Sequence, residues 1–150
     1  MTPAIDSSIS ALRALLIDDM DTFRRLHGQQ NMDERRAFAA VLTAAFNEAA
    51  TDKFGTQASA SDVIEFVADA RARHVGPEAI SAEAAERVIR AALGEDDLID
   101  SMDASTFGAA QIAMLIALVH EDGFSGEDID ALLATAARQA RSFFERQSRR

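Results

Sequence analysis

A chain of 150 residues, 48% of them apolar, is long and apolar enough to build one domain around a hydrophobic core, which excludes wholesale disorder. The absence of cysteine excludes disulfides, thiolate metal sites and a thiol nucleophile. A formal net charge of −10 argues against general nucleic-acid binding, because an acidic surface repels phosphates.

Alanine is abundant, tyrosine and tryptophan are absent, and Pro3 and Pro77 are the only prolines. Such a composition predicts an all-α fold. The start, MTPAIDSSIS, lacks the basic and apolar segments of a signal peptide. The longest uncharged apolar stretch, Phe107 to Val119, falls short of the ~20 residues of a membrane span. A cytoplasmic protein without a membrane partner is the expectation. Lys53 stands alone among fourteen arginines, which suggests GC-rich coding and carries no functional information.

The first helix is expected from about Ser7 to His27, with Ile9, Leu12, Leu16, Met20 and Phe23 on one face, and Gly28 stops it. A second, about Asp33 to Asp52, carries Phe38, Val41, Leu42, Ala45, Phe46 and Ala49; Gly55 supplies a left-handed cap. The polar TQASASD follows, with Asp62 and Glu65 at capping-box spacing. The third helix buries Val63, Phe66, Val67 and Ala70 and ends at Gly76-Pro77. Ser81 caps the fourth, whose inner face is Ala84, Ala85, Val88, Ile89 and Ala92, and Gly94 ends it.

The helix from about Ser105 to Glu121 is apolar around most of its circumference, as the buried centre of a bundle is. Asp122-Gly123 breaks it, and Ser125 with Asp128 restarts the chain at capping-box spacing. The last helix directs Ile129, Leu132, Leu133, Ala136, Ala140 and Phe143 inward. The expected fold is a single-domain bundle of about six to seven antiparallel helices around the helix near 105–121, with residues 1–6 and 147–150 frayed.

The segment GEDDLIDSMDAS, residues 94–105, holds two enzyme-like spellings. Asp96, Asp97 and Asp100 resemble the DDxxD of isoprenoid synthases, whose aspartates hold magnesium against a diphosphate. That chemistry needs a second metal motif on a facing helix and a chain roughly twice as long. Asp100-Ser101-Met102 resembles the Asp-Ser-Leu of acyl carrier proteins, but Ser101 lies inside a short turn instead of at an exposed helix start. A simpler account is a helix junction. Gly94 stops one helix, Asp96 or Asp97 caps the next, and Leu98, Ile99 and Met102 turn inward.

His27, His74 and His120 each fall in the last turn of an expected helix, where an imidazole can serve the free carbonyls. No Glu-x-x-His pair of a di-iron bundle exists, because Arg24, Arg71 and Ala117 stand three residues before them. No Gly-x-Ser-x-Gly elbow or phosphate-binding glycine loop is present. A helix-turn-helix around EDGFSGED would present Glu127, Asp128 and Asp130 to DNA, the wrong charge for it. Ala117-Leu118-Val119-His120-Glu121-Asp122-Gly123 and the acidic helix start after it resemble the helix–Asp-Gly–helix hairpin of TerB-like tellurite-resistance proteins. That resemblance implies divalent-metal binding; the family has two such hairpins and this chain has one, with Ser125 and Gly126 departing from the usual spacing.

The last helix is basic, with Arg138, Arg141, Arg146, Arg149 and Arg150 against Glu145 alone. Phe143 and Phe144 are adjacent, so one must leave the inward stripe, and with Arg141 they form a candidate contact surface. Three functions stay open: a non-enzymatic interaction or regulatory module, possible as a homodimer; a divalent-metal binder using Asp96, Asp97 and Asp100, with Glu121 and Asp122; and an acidic, antitoxin-like partner of a basic protein, binding through acids of the middle third. None calls for an organic cofactor, and the partner in each protein-binding case is a protein or a second copy.

Overall fold

The computed structural model describes residues 3–55, 59–73 and 80–148, without the side chains of Pro3 and Asp96. Among them the fold is all-α: α1 (Pro3–Leu16), α2 (Met20–Gly28), α3 (Met32–Phe54), α4 (Ala60–Arg73), α5 (Ala82–Ala92), a 3-10 helix (Asp96–Ile99), α6 (Ala104–Glu121) and α7 (Gly126–Ser148). The contacts gather into two compact units, Met1–Ala45 with Phe124–Arg150, and Phe46–Gly123. Helix α3 contributes to both.

In the first unit, the single helix expected from Ser7 to His27 is two. Helix α1 begins at Pro3, with Ile5 fully buried, and closes at Leu16. Asp18 then takes a left-handed φ of 65°, which the short polar side chain of aspartate tolerates better than most. Asp19 accepts the backbone N–H of Thr22 at 3.3 Å and starts α2. The apolar spacing from Ile9 to Phe23 runs straight across this break, which is why periodicity alone does not reveal it. Helix α1 packs on α2 and α7. Arg13 Nε donates to Asp130 at 2.7 Å, and Arg141 Nη2 to Asp6 at 3.3 Å.

Helix α7 starts at the expected capping box: Ser125 N–H donates to Asp128 Oδ2 at 2.9 Å and Asp128 N–H to Ser125 Oγ at 3.1 Å. Ile129, Leu132, Leu133, Ala136 and Ala140 are buried as expected, but Phe143 is not. The two phenylalanines flank the axis of the stripe, and Phe143 lies on its uncovered side, 42% exposed, while Phe144 is half-buried.

In the second unit, Gly55 closes α3 at φ 65°, its N–H bonded to Thr51 O at 2.7 Å. The capping box of α4 lies one register earlier than expected. Ser59 N–H donates to Asp62 Oδ2 at 3.1 Å and Asp62 N–H to Ser59 Oγ at 3.2 Å, so the helix begins at Ala60 and Glu65 takes no part. The buried face of α4 is Val63, Phe66, Val67 and Ala70, as expected. Its terminator Gly76-Pro77 and His74 lie outside the described residues. Ser81 caps α5 by accepting Ala84 N–H at 3.0 Å.

At 94–105 the stop at Gly94 is present, with φ 121°, but neither Asp96 nor Asp97 caps a helix. Glu95 occupies the cap position of a four-residue 3-10 helix without a capping side-chain bond, and Asp103 is the cap of α6. Leu98, Ile99 and Met102 are half-buried, consistent with a turn pinned by its apolar side. Helices α4 and α6 both pack on α5. Eighteen residues with a mean hydropathy of 1.2 make α6 long and apolar enough for a membrane span by length and composition. In this fold Ala110, Gln111, Met114, Leu115, Ala117, Leu118 and Val119 are buried in the protein.

Candidate functional site

The second unit carries a cleft of about 330 Å³ built from three helix segments. The C-terminal turn of α3 supplies Lys53 and Phe54, and the last residue of α6 supplies Glu121. Helix α4 supplies Asp62, Glu65, Asp69 and Phe66; the three acids recur at three- and four-residue spacing and so share one face. Phe54 and Phe66 meet edge to face, with centroids 5.4 Å apart at 89°. They form an aromatic floor.

One cation already sits at this floor. Lys53 Nζ lies 5.9 Å from the Phe66 ring centroid and donates to Asp122 Oδ1 at 3.0 Å. Arg73 Nη1 approaches Glu121 Oε2 at 3.5 Å. The Asp62 carboxylate is engaged in the capping box. Glu65 and Asp69, in contrast, have no hydrogen bond or ion pair with any described residue. Four carboxylates and one ammonium line the cleft, so its local charge is negative. The ring face and the unpaired carboxylates both favour a cation, and a concave wall concentrates their field.

The residues singled out by sequence lie elsewhere, with one exception. Asp97 and Asp100 are exposed on the 3-10 helix and its cap, and the Asp96 side chain lies outside those described. At three residues per turn, Asp97 and Asp100 fall in line, which departs from the α-helical spacing that DDxxD needs. The nearest built interaction is that of Glu95: Arg90 donates Nε–H and Nη2–H to its two oxygens at 2.7 and 2.8 Å, and this pairing holds the Glu95 carboxyl below its ordinary range. Asp103 is lowered too, chiefly by the backbone N–H of Thr106 at 2.7 Å. Among the described residues, no three histidine or carboxylate side chains are grouped to hold a metal ion. Ser101 is exposed, its hydroxyl 3.5 Å from Arg87 Nη1.

The exception is the Glu121-Asp122 pair at the end of α6. Glu121 lines the cleft and Asp122 holds its lysine. His27 stacks on Phe23 at 5.1 Å and lies 5.2 Å from Phe38, an aromatic role that helix-end position did not suggest. His120 is in the last turn of α6 as expected. Phe143 and Phe144 meet edge to face at 5.4 Å, and Arg141 is paired to Asp6 within the first unit. Lys53, Phe54, Glu65, Phe66 and Asp69 escaped the sequence reasoning as a site. The available signal was the single lysine followed by acids at helical spacing. Comparison with models of known protein families, with curated proteins and with solved structures finds no match to this chain.

Proposed function

We propose that this chain is a helical interaction module whose acidic, phenylalanine-floored cleft receives a cationic segment of a partner protein. One observation carries the reading: Glu65 and Asp69 stand unpaired beside Phe66, whose ring already faces an ammonium group. Phe66 is buried, so a partner arginine or lysine would lay its apolar stem on the half-buried Phe54 at the rim while its charged head meets the two exposed carboxylates. Complementary charge of this kind sets partner choice and encounter rate more than raw affinity. The metal-binding reading draws less support, because Glu121 and Asp122 each have a cation within ion-pair distance and Asp97 and Asp100 lie outside the cleft.

Fluorescence anisotropy with a labelled peptide of alternating arginine and phenylalanine tests the proposal. Binding is expected at low salt, weakened by added salt, and about tenfold weaker in the Glu65→Gln/Asp69→Asn double variant. A peptide of alternating glutamate and phenylalanine should not bind. Equal binding by wild type and double variant would refute the assignment.

A further inference from the structure

We infer that one occupant of the cleft is the C-terminal end of α7 from a second copy of this chain. The inference rests on the proposed cation-binding role of the cleft and names an occupant for it. The end of α7 has the complementary chemistry. Phe143 is 42% exposed and is braced by Phe144 at 5.4 Å. Among the described residues Arg146, one turn on, bonds only to the Ser142 hydroxyl at 3.1 Å, and Arg138 only to the Thr135 hydroxyl at 3.1 Å. Neither guanidinium has a carboxylate partner among the described residues, and Glu145 is the only acid in the sequence from Arg138 to the end. Elsewhere in the same unit Arg13 and Arg141 do pair with carboxylates. An exposed aromatic and the unpaired guanidinium of Arg146 one turn on thus match an aromatic floor and unpaired carboxylates in the cleft.

Two different patches meet in such a contact, so it is heterologous and can propagate from copy to copy until it closes a ring or runs on as a chain. A cleft of about 330 Å³ admits an aromatic side chain with a neighbouring guanidinium and not a whole helix, so the contact is small and its affinity modest. Net charge works against it: copies bearing −10 repel at long range. Roughly 0.1 M salt shortens the Debye length to about 10 Å, which screens that repulsion while leaving pairs in contact less affected. Association should therefore be clearest near this ionic strength and lost near 1 M.

Sedimentation velocity of the full chain tests the inference with two variants, a cleft variant (Glu65→Lys/Asp69→Lys) and a tail variant (Phe143→Ser/Arg146→Glu), each checked for native helicity by circular dichroism. Wild type should form species larger than a monomer as its concentration rises, and each variant alone should remain a monomer. An equimolar mixture should give a dimer and nothing larger, because it retains one intact cleft and one intact tail per pair. A wild type monomeric throughout, a variant that still associates, or a mixture that stays monomeric would each overturn the inference. The arginine–phenylalanine peptide separates this failure from that of the cleft itself. If the peptide binds wild type but not the cleft variant while wild type stays monomeric, the cleft reading stands and the second copy is not its occupant. If the peptide binds both equally, the cleft reading fails as well.

Discussion

Lys53 Nζ lies 3.0 Å from Asp122 Oδ1, joining the last turn of α3 to the residue that ends α6. The pair places the only lysine of the chain at the floor of an otherwise acidic cleft, 5.9 Å from the Phe66 ring. An internal cation at that point competes with any cation arriving from outside. Lys53→Gln should therefore tighten binding of the arginine–phenylalanine peptide several-fold, as measured by anisotropy. Its thermal stability should change little, because a partly exposed ion pair contributes roughly 0–1 kcal/mol. Weaker binding in this variant would mean that the lysine itself holds the peptide.

The break between α1 and α2 turns on Asp18 at φ 65°. Asp18→Val places a β-branched residue in the left-handed region and should lower stability by about 1–2 kcal/mol in urea unfolding. Asp18→Gly should not lower it by that amount. Equal losses in both variants would show that the aspartate side chain, and not the backbone angle, matters at the break.

Gln30 is 7% exposed, and neither its Nε2 nor its Oε1 has a hydrogen-bond partner among the described residues. Burying an amide unpaired is unfavourable, whereas an apolar side chain of similar shape loses nothing there. Gln30→Met should raise the unfolding free energy by about 1 kcal/mol. A loss of stability would show that the amide is bonded in solution.

Acid sensitivity follows from Asp103, whose carboxylate accepts Thr106 N–H at 2.7 Å and Thr106 Oγ–H at 3.1 Å. These bonds hold its carboxyl below the ordinary value of 3.8. A group lowered by folding stabilises fully above its unfolded pKa, and that contribution is lost as pH falls through the folded value. The midpoint of thermal unfolding should thus drop less steeply below pH ~4 in Asp103→Asn, which keeps a capping oxygen but does not titrate. Parallel curves for the two proteins would contradict the assignment.

Much of the fold was legible because caps and stops are local. Ser81, Gly94, Gly123 and the Ser125–Asp128 pair each act within a few residues of themselves, and the inward faces of α4 and α5 follow from 3.6-residue spacing. Errors arose where two local signals compete. Asp62 can start a helix box with Glu65 or complete one with Ser59, and the chain uses Ser59. Asp96 and Asp97 look like caps, yet Asp103 is the one followed by a full α-helix. The cleft was illegible for a different reason. Its residues come from α3, α4 and α6, far apart in sequence, and the significance of Lys53 depends on a ring and a carboxylate that only the fold brings to it.

The most direct test of the cleft as a binding site is a backbone amide NMR titration of the isotopically labelled chain with the arginine–phenylalanine peptide. Shifts should concentrate at Lys53, Phe54, Glu65, Phe66, Asp69 and Glu121, and in the Glu65→Gln/Asp69→Asn variant they should need about tenfold more peptide to reach the same size. Shifts spread evenly over the acidic surface, or centred on Asp97 and Asp100, would contradict the cleft assignment.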